Sequence, residues 1–167
     1  MVSVAYQLVL LDGDETLWTC RGADYASLLR PPLRRRDTDT LEDTRGATIA
    51  LRPGARELLT GLQERDVLIA LVTHNDEPPV LAALDGWDLR DSFVRLSICW
   101  RPKGGSVRAM LRDLAMDGIE VRPEECLFVD DSSFNINDVS DIGAGCLLMG
   151  GDVNDLIEVL NVVDRAG

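Results

Sequence analysis

A chain of 167 residues with 46% hydrophobic content has the commonest size of a single folding unit and can bury one core. Its 29 acidic residues against 17 basic ones give a net charge of −12, which repels a nucleic-acid backbone and argues against a nucleic-acid partner. No apolar run is long enough to span a bilayer, and the first one lacks a basic leader and stops at an acidic cluster, so a cytoplasmic protein without a membrane partner is expected.

In chain order, residues 4–11 form a continuous apolar run that ends in polar residues, the pattern of a strand buried on both faces. Residues 17–52 follow, too long for an ordinary loop and rich in charge, with Pro31-Pro32 and the run Arg34, Arg35, Arg36; they are expected to be a flap or insert. The arginine run is read as solvated. Pro53 opens a helix carrying Leu58, Leu59 and Leu62, and residues 67–72 read as a second buried strand. Pro78 and Pro79 begin another helix, and residues 93–98 are a short third strand.

Val107, Met110, Leu111 and Leu114 mark a helix ended by Gly118, followed by strands at 126–129 and 146–149 and a last helix at 153–163. Strands alternating with helices predict an α/β fold, a Rossmann-like three-layer α/β/α sandwich on a parallel five-stranded sheet, as one domain over residues 1–167. Cys20, Cys99, Cys126 and Cys146 are scattered and form no C-x-x-C, so reduced, buried thiols are expected.

Ligands of such sheets bind beyond the carboxyl ends of the strands. There the first strand delivers Asp12-Gly13-Asp14-Glu15-Thr16, with two carboxylates two residues apart. The second ends in Thr73-His74-Asn75, where a hydroxyl and backbone N–H groups suit phosphoryl oxygens, although a capping threonine reads the same way. The fourth ends in Asp130-Asp131; like charges gathered there call for a hard cation such as magnesium. Lys103 is the only lysine among 17 basic residues, which points to a place where a compact ammonium is needed and a planar guanidinium does not serve.

Asp12-x-Asp14-x-Thr16, Thr73, Lys103 and Asp130-Asp131, in this order, resemble the four motifs of the haloacid dehalogenase superfamily, over residues 4–149. Within it the wording is similar to small magnesium-dependent phosphatases, notably Asn135-Ile136-Asn137-Asp138-Val139, and to the FkbH-like enzymes, notably Asp14 to Trp18, His74 to Glu77 and Trp100 to Lys103. The resemblance implies a phosphohydrolase with Asp12 as nucleophile and Asp14 as general acid and base. It implies Mg2+ held by Asp12, the Asp14 backbone carbonyl and Asp130, with Asp131 orienting a coordinated water and Thr16 in support. Thr73 and Lys103 would bind the phosphoryl group, with His74, Asn75 and Arg101 as further substrate contacts.

The spacing of the motifs leaves no room for a large cap, so the site is expected to be open or covered by a minimal flap, and to take a bulky or carrier-bound phosphorylated metabolite. The FkbH-like wording implies an alternative, transfer of a glyceryl or acyl unit to an acyl carrier protein, with Cys20 holding the acyl group. A receiver-like phospho-binding module is the other class; its acidic pair precedes threonine and lysine, whereas here Asp130-Asp131 comes last.

Overall fold

A computed structural model describes residues 5–167. The chain runs β1 (Leu8–Leu11), β2 (Trp18–Arg21), β3 (Arg34–Arg35), β4 (Thr40–Glu42), β5 (Thr48–Leu51), α1 (Ala55–Gln63), β6 (Leu68–Thr73), α2 (Glu77–Gly86), β7 (Arg95–Ile98), α3 (Lys103–Met116), β8 (Cys126–Asp130), α4 (Ser133–Ser140), β9 (Gly145–Leu148) and α5 (Glu158–Ala166). Five parallel strands pair in the order β7-β6-β1-β8-β9. Alternate residues of β1 enter different cores, because successive side chains of a strand leave on opposite faces. Val9 and Leu11 pack with Leu58, Leu62, Val80 and Val159. Leu8 and Leu10 pack with Val107, Met110, Leu114 and Val139. Helices therefore cover both faces, as the uninterrupted apolar runs predicted.

The chain builds outward from β1 to β6 and β7, then crosses back to place β8 on the other side of β1. That reversal opens a crevice at the carboxyl end of β1, the standard ligand position in such sheets.

Three expectations change. The first strand is Leu8–Leu11 rather than 4–11, and Val4 lies outside the described residues. The 17–52 insert is a four-stranded antiparallel sheet in the order β2-β5-β4-β3. Trp18, Leu41 and Ile49 on it are fully buried, so it is anchored in the core; strands of two to four residues gave too short an alternation to be read from sequence. Arg34 and Arg35 are exposed on β3, and Arg36 makes an exposed ion pair with Glu42. The last helix starts at Glu158, because Gly150, at a φ of 85°, turns the chain so that its N–H bonds the Val153 carbonyl at 2.7 Å. α4 was not anticipated, since only Val139 on it is buried and no apolar stripe announces it. All four cysteines are free, Cys126 buried and the others partly so. No helix among the described residues is long and apolar enough to cross a membrane.

Candidate active site

Asp12 directly follows β1, Thr73 ends β6 and Asp130 ends β8, so the three expected strand ends converge on the crevice. Gly13 is required by packing: a Cβ there would lie 2.3 Å from the Trp18 ring and 2.8 Å from the Thr73 hydroxyl.

Lys103 is the hub. Its side chain is 1% exposed, and the ammonium donates to Asp12 Oδ1 at 2.5 Å, Asp130 Oδ2 at 2.8 Å and the Val72 carbonyl at 2.8 Å. Burial alone would lower its pKa, but the Asp12 and Asp130 carboxylates outweigh that and raise it. The other Asp12 oxygen accepts from the buried Thr16 hydroxyl at 3.0 Å. Burial pushes the Asp12 carboxyl up to about 8 even beside Lys103, with Asp130 and Asp131 adding repulsion. One ammonium thus under-compensates the acids around it.

Asp14 has a different environment. Its Oδ1 accepts from Trp18 Nε1 at 3.0 Å and the Ala26 N–H at 2.9 Å, and its Oδ2 from Asn75 Nδ2 at 2.6 Å. All are neutral donors, and they fix the orientation of its side chain. Two acids two residues apart thereby acquire different chemistry, the arrangement that acid–base division of labour requires.

Asn75, expected as a substrate contact, has its side-chain amide engaged by the protein. It is buried; its amide donates to Asp14 and to Thr73 Oγ1 at 2.8 Å, and its oxygen accepts from the Ser27 N–H at 2.8 Å and hydroxyl at 2.6 Å. It positions Asp14. Asn75→Ala is expected to lower kcat by about tenfold with little change in KM, because a general acid–base worth roughly 10²–10⁴ keeps most but not all of its effect when it is loosened; an unchanged kcat in steady-state assays would refute this role. Thr73, buried, accepts in its bond with Asn75, which leaves its own hydroxyl proton free to donate. His74 bonds the Arg101 carbonyl through Nε2 at 2.7 Å and stacks on Trp100.

Among the described residues, Asp12, Asp130 and Asp131 bring ligand oxygens within 4.8 Å of one another. Asp131, expected in an outer role, belongs to this group, and the Asp14 carboxylate does not. Burial together with Asp130 raises the Asp131 carboxyl, while a hydrogen bond with Asp12 opposes the rise. Three clustered carboxylates with a single ammonium fit a hard divalent cation.

The sequence model of the family described as Acid Phosphatase matches residues 5–158. The chain belongs to the acid phosphatase family. This acid phosphatase family member is a phosphohydrolase. It is 28% identical over 149 residues to magnesium-dependent phosphatase 1 of Homo sapiens, covering 89% of this chain and 80% of that one. Its fold matches a haloacid dehalogenase-superfamily hydrolase from Ehrlichia chaffeensis, with a TM-score of 0.66, 17% identity and 97% and 98% of the two chains covered. It also matches the N-terminal part of a Bacteroides fragilis protein containing a phosphatase domain complexed with Mg, with a TM-score of 0.61 and 18% identity, over 98% of this chain and 42% of that one. The resemblance to the haloacid dehalogenase superfamily and its small magnesium-dependent phosphatases is borne out.

Several residues of this acid phosphatase family member support the site in roles that the sequence did not assign, Asn135 and Asp138 of the phosphatase-like run 135–139 among them. Asn135 donates to both Asp130 oxygens, at 3.3 and 3.1 Å, and the Ser132 N–H donates to Asp130 Oδ1 at 2.8 Å. Asp138 accepts from the Gly104 N–H at 2.7 Å and so ties the start of α3, where Lys103 stands, to α4. Ala26 and Ser27 come from the insert. Their signal is weak, because each contributes a backbone group or small hydroxyl whose partner is far away in sequence.

Proposed function

We propose that this chain hydrolyses phosphomonoesters with magnesium, through an aspartyl-phosphate on Asp12, and that its substrate is a bulky or carrier-bound phosphorylated metabolite. The observation that carries the reading is the divergence of the two acids: Asp12 faces Lys103 and the acidic cluster, whereas neutral donors hold Asp14 beside it. In this reading the Asp12 carboxylate attacks phosphorus, and Asp14 gives its proton to the leaving oxygen. Asp14 then takes a proton from the water that cleaves the acyl phosphate. Thr73 and Lys103 hold the non-reacting oxygens where charge develops.

Asp12, Asp130 and Asp131 would hold magnesium, with the Asp14 carbonyl as the further oxygen donor the resemblance implies. When bound, the ion supplies positive charge that offsets repulsion between an anionic nucleophile and an anionic substrate. Magnesium is therefore expected to raise the melting temperature, with about 2.7 kcal/mol of added stability at one hundred times its dissociation constant. A chelator should reverse the rise and Asp130→Asn should prevent it. The pH dependence has a definite sign. With its carboxyl raised from 3.8 to about 8, Asp12 contributes stability that is full below the lower value and lost as pH rises through the upper one. Magnesium should cancel that loss; scanning calorimetry showing neither a magnesium shift nor a fall between these pH values would contradict the assignment.

The bulky substrate follows from how little covers the site. The insert reaches Asp14 through Trp18 and Cys20 of β2 and the Ala26 N–H, and Asn75 through Ser27 of the short turn at Ala26–Leu28, and commits most of its buried side chains to the core. An open site gives a small leaving group few remote contacts from which to draw catalysis. Higher kcat/KM on larger monoesters than on unadorned sugar phosphates is the expected result, and the reverse order would overturn it. Transfer to an acyl carrier protein is not favoured: burial and then Asp14 push the Cys20 thiol up to about 12, which leaves almost no thiolate to accept an acyl group.

A further inference from the structure

Trp100 is 57% exposed, yet it is fixed in place. Its Nε1 donates to Asp76 Oδ1 at 2.9 Å. One face stacks on His74, with ring centroids 6.2 Å apart and planes 20° from parallel. The Tyr25 ring stands edge-on at 5.9 Å and 79°. His74 is itself held by the Arg101 carbonyl. A large ring that the fold immobilises but leaves uncovered loses little further freedom when it meets a ligand.

Chain connectivity keeps this corner close to the site residues. His74 directly follows Thr73, and Trp100 precedes Lys103 by three residues, which limits their Cα separation to about 11 Å. Tyr25 adjoins Ala26, whose N–H holds Asp14. The three rings are thus attached to the phosphate-binding threonine, the hub lysine and the acid that protonates the leaving group.

We propose that Trp100, walled by Tyr25 and backed by His74, is a specificity-determining surface that stacks against an aromatic ring in the leaving group of the phosphomonoester. This rests on the phosphatase reading above and names the kind of bulk that the open site selects. The exposed part of the Trp100 ring offers stacking, and Tyr25, at nearly a right angle to it, offers an edge contact, the two geometries that aromatic quadrupoles favour. A polyanionic ligand such as a nucleic acid is not the occupant, since the net charge of −12 opposes it.

The test compares wild type, Trp100→Ala and Trp100→Phe with magnesium on three monoesters: phenyl phosphate, a hexose phosphate and glycerol phosphate. Trp100→Ala is expected to lower kcat/KM for phenyl phosphate about tenfold, mostly through KM, and to leave the other two within about twofold, with Trp100→Phe restoring most of the loss. Equal losses on all three substrates would mean that Trp100 merely supports the site, and no loss on any would mean that it touches nothing; either overturns the proposal. Calorimetric binding of phenylphosphonate against methylphosphonate separates this from the parent reading. A preference for the aryl ligand that Trp100→Ala abolishes supports the surface even without turnover of any ester, whereas equal affinities refute it even in an active phosphatase.

Discussion

Asp12→Asn is expected to reduce phosphate release by at least about a thousandfold, because the amide keeps the shape of the carboxylate and has no nucleophilic oxygen anion. The variant should not unfold. The introduced amide still offers an oxygen to the Lys103 ammonium, and the substitution removes an acid whose ionisation burial opposes so strongly that its carboxyl rises to about 8. Without magnesium its melting temperature should equal or exceed that of wild type at neutral pH. Loss of activity at undiminished stability locates the defect in chemistry, and undiminished activity would remove Asp12 from the mechanism.

Lys103→Arg keeps the charge and should still lower kcat by at least about tenfold, about 1.4 kcal/mol of barrier. Three acceptors converge on one small ammonium that is 1% exposed, and a planar guanidinium is too broad for them. Lys103→Met should do more, because removing one partner of a buried ionic cluster leaves like charges uncompensated and typically costs about 3–5 kcal/mol. Magnesium, which meets the same carboxylates, should recover part of that stability but not the activity. Denaturant titrations with and without the ion check this, and a Lys103→Met variant as stable as wild type without metal would contradict the view of Lys103 as counter-ion.

Strands buried on both faces write themselves as unbroken apolar runs, and β1, β6 and β8 were legible for that reason; so were the acids and threonine at their ends. Lys103 was legible because it is the sole lysine. The insert was not, since its strands are short and half exposed. Nor was the orientation of Asn75: adjacency to Thr73 suggested a substrate contact, and only the fold brings Asp14 and Ser27 to its amide. Asp131 is similar, because two neighbouring acids look alike in sequence, and geometry alone groups Asp131 with Asp12 and Asp130.

The covalent intermediate can be observed directly. Asp14→Asn lacks the group that activates water, whereas an aryl leaving group departs without protonation, so the phosphorylated enzyme should accumulate. The variant is mixed with phenyl phosphate and magnesium, quenched in acid and reduced with borohydride, which converts an acyl phosphate to homoserine. Peptide mass spectrometry is expected to find homoserine at position 12, and unmodified Asp12 in a substrate-free control. Homoserine at another acid, or phosphate released over a full turnover with unmodified Asp12 at every time point, would contradict the account.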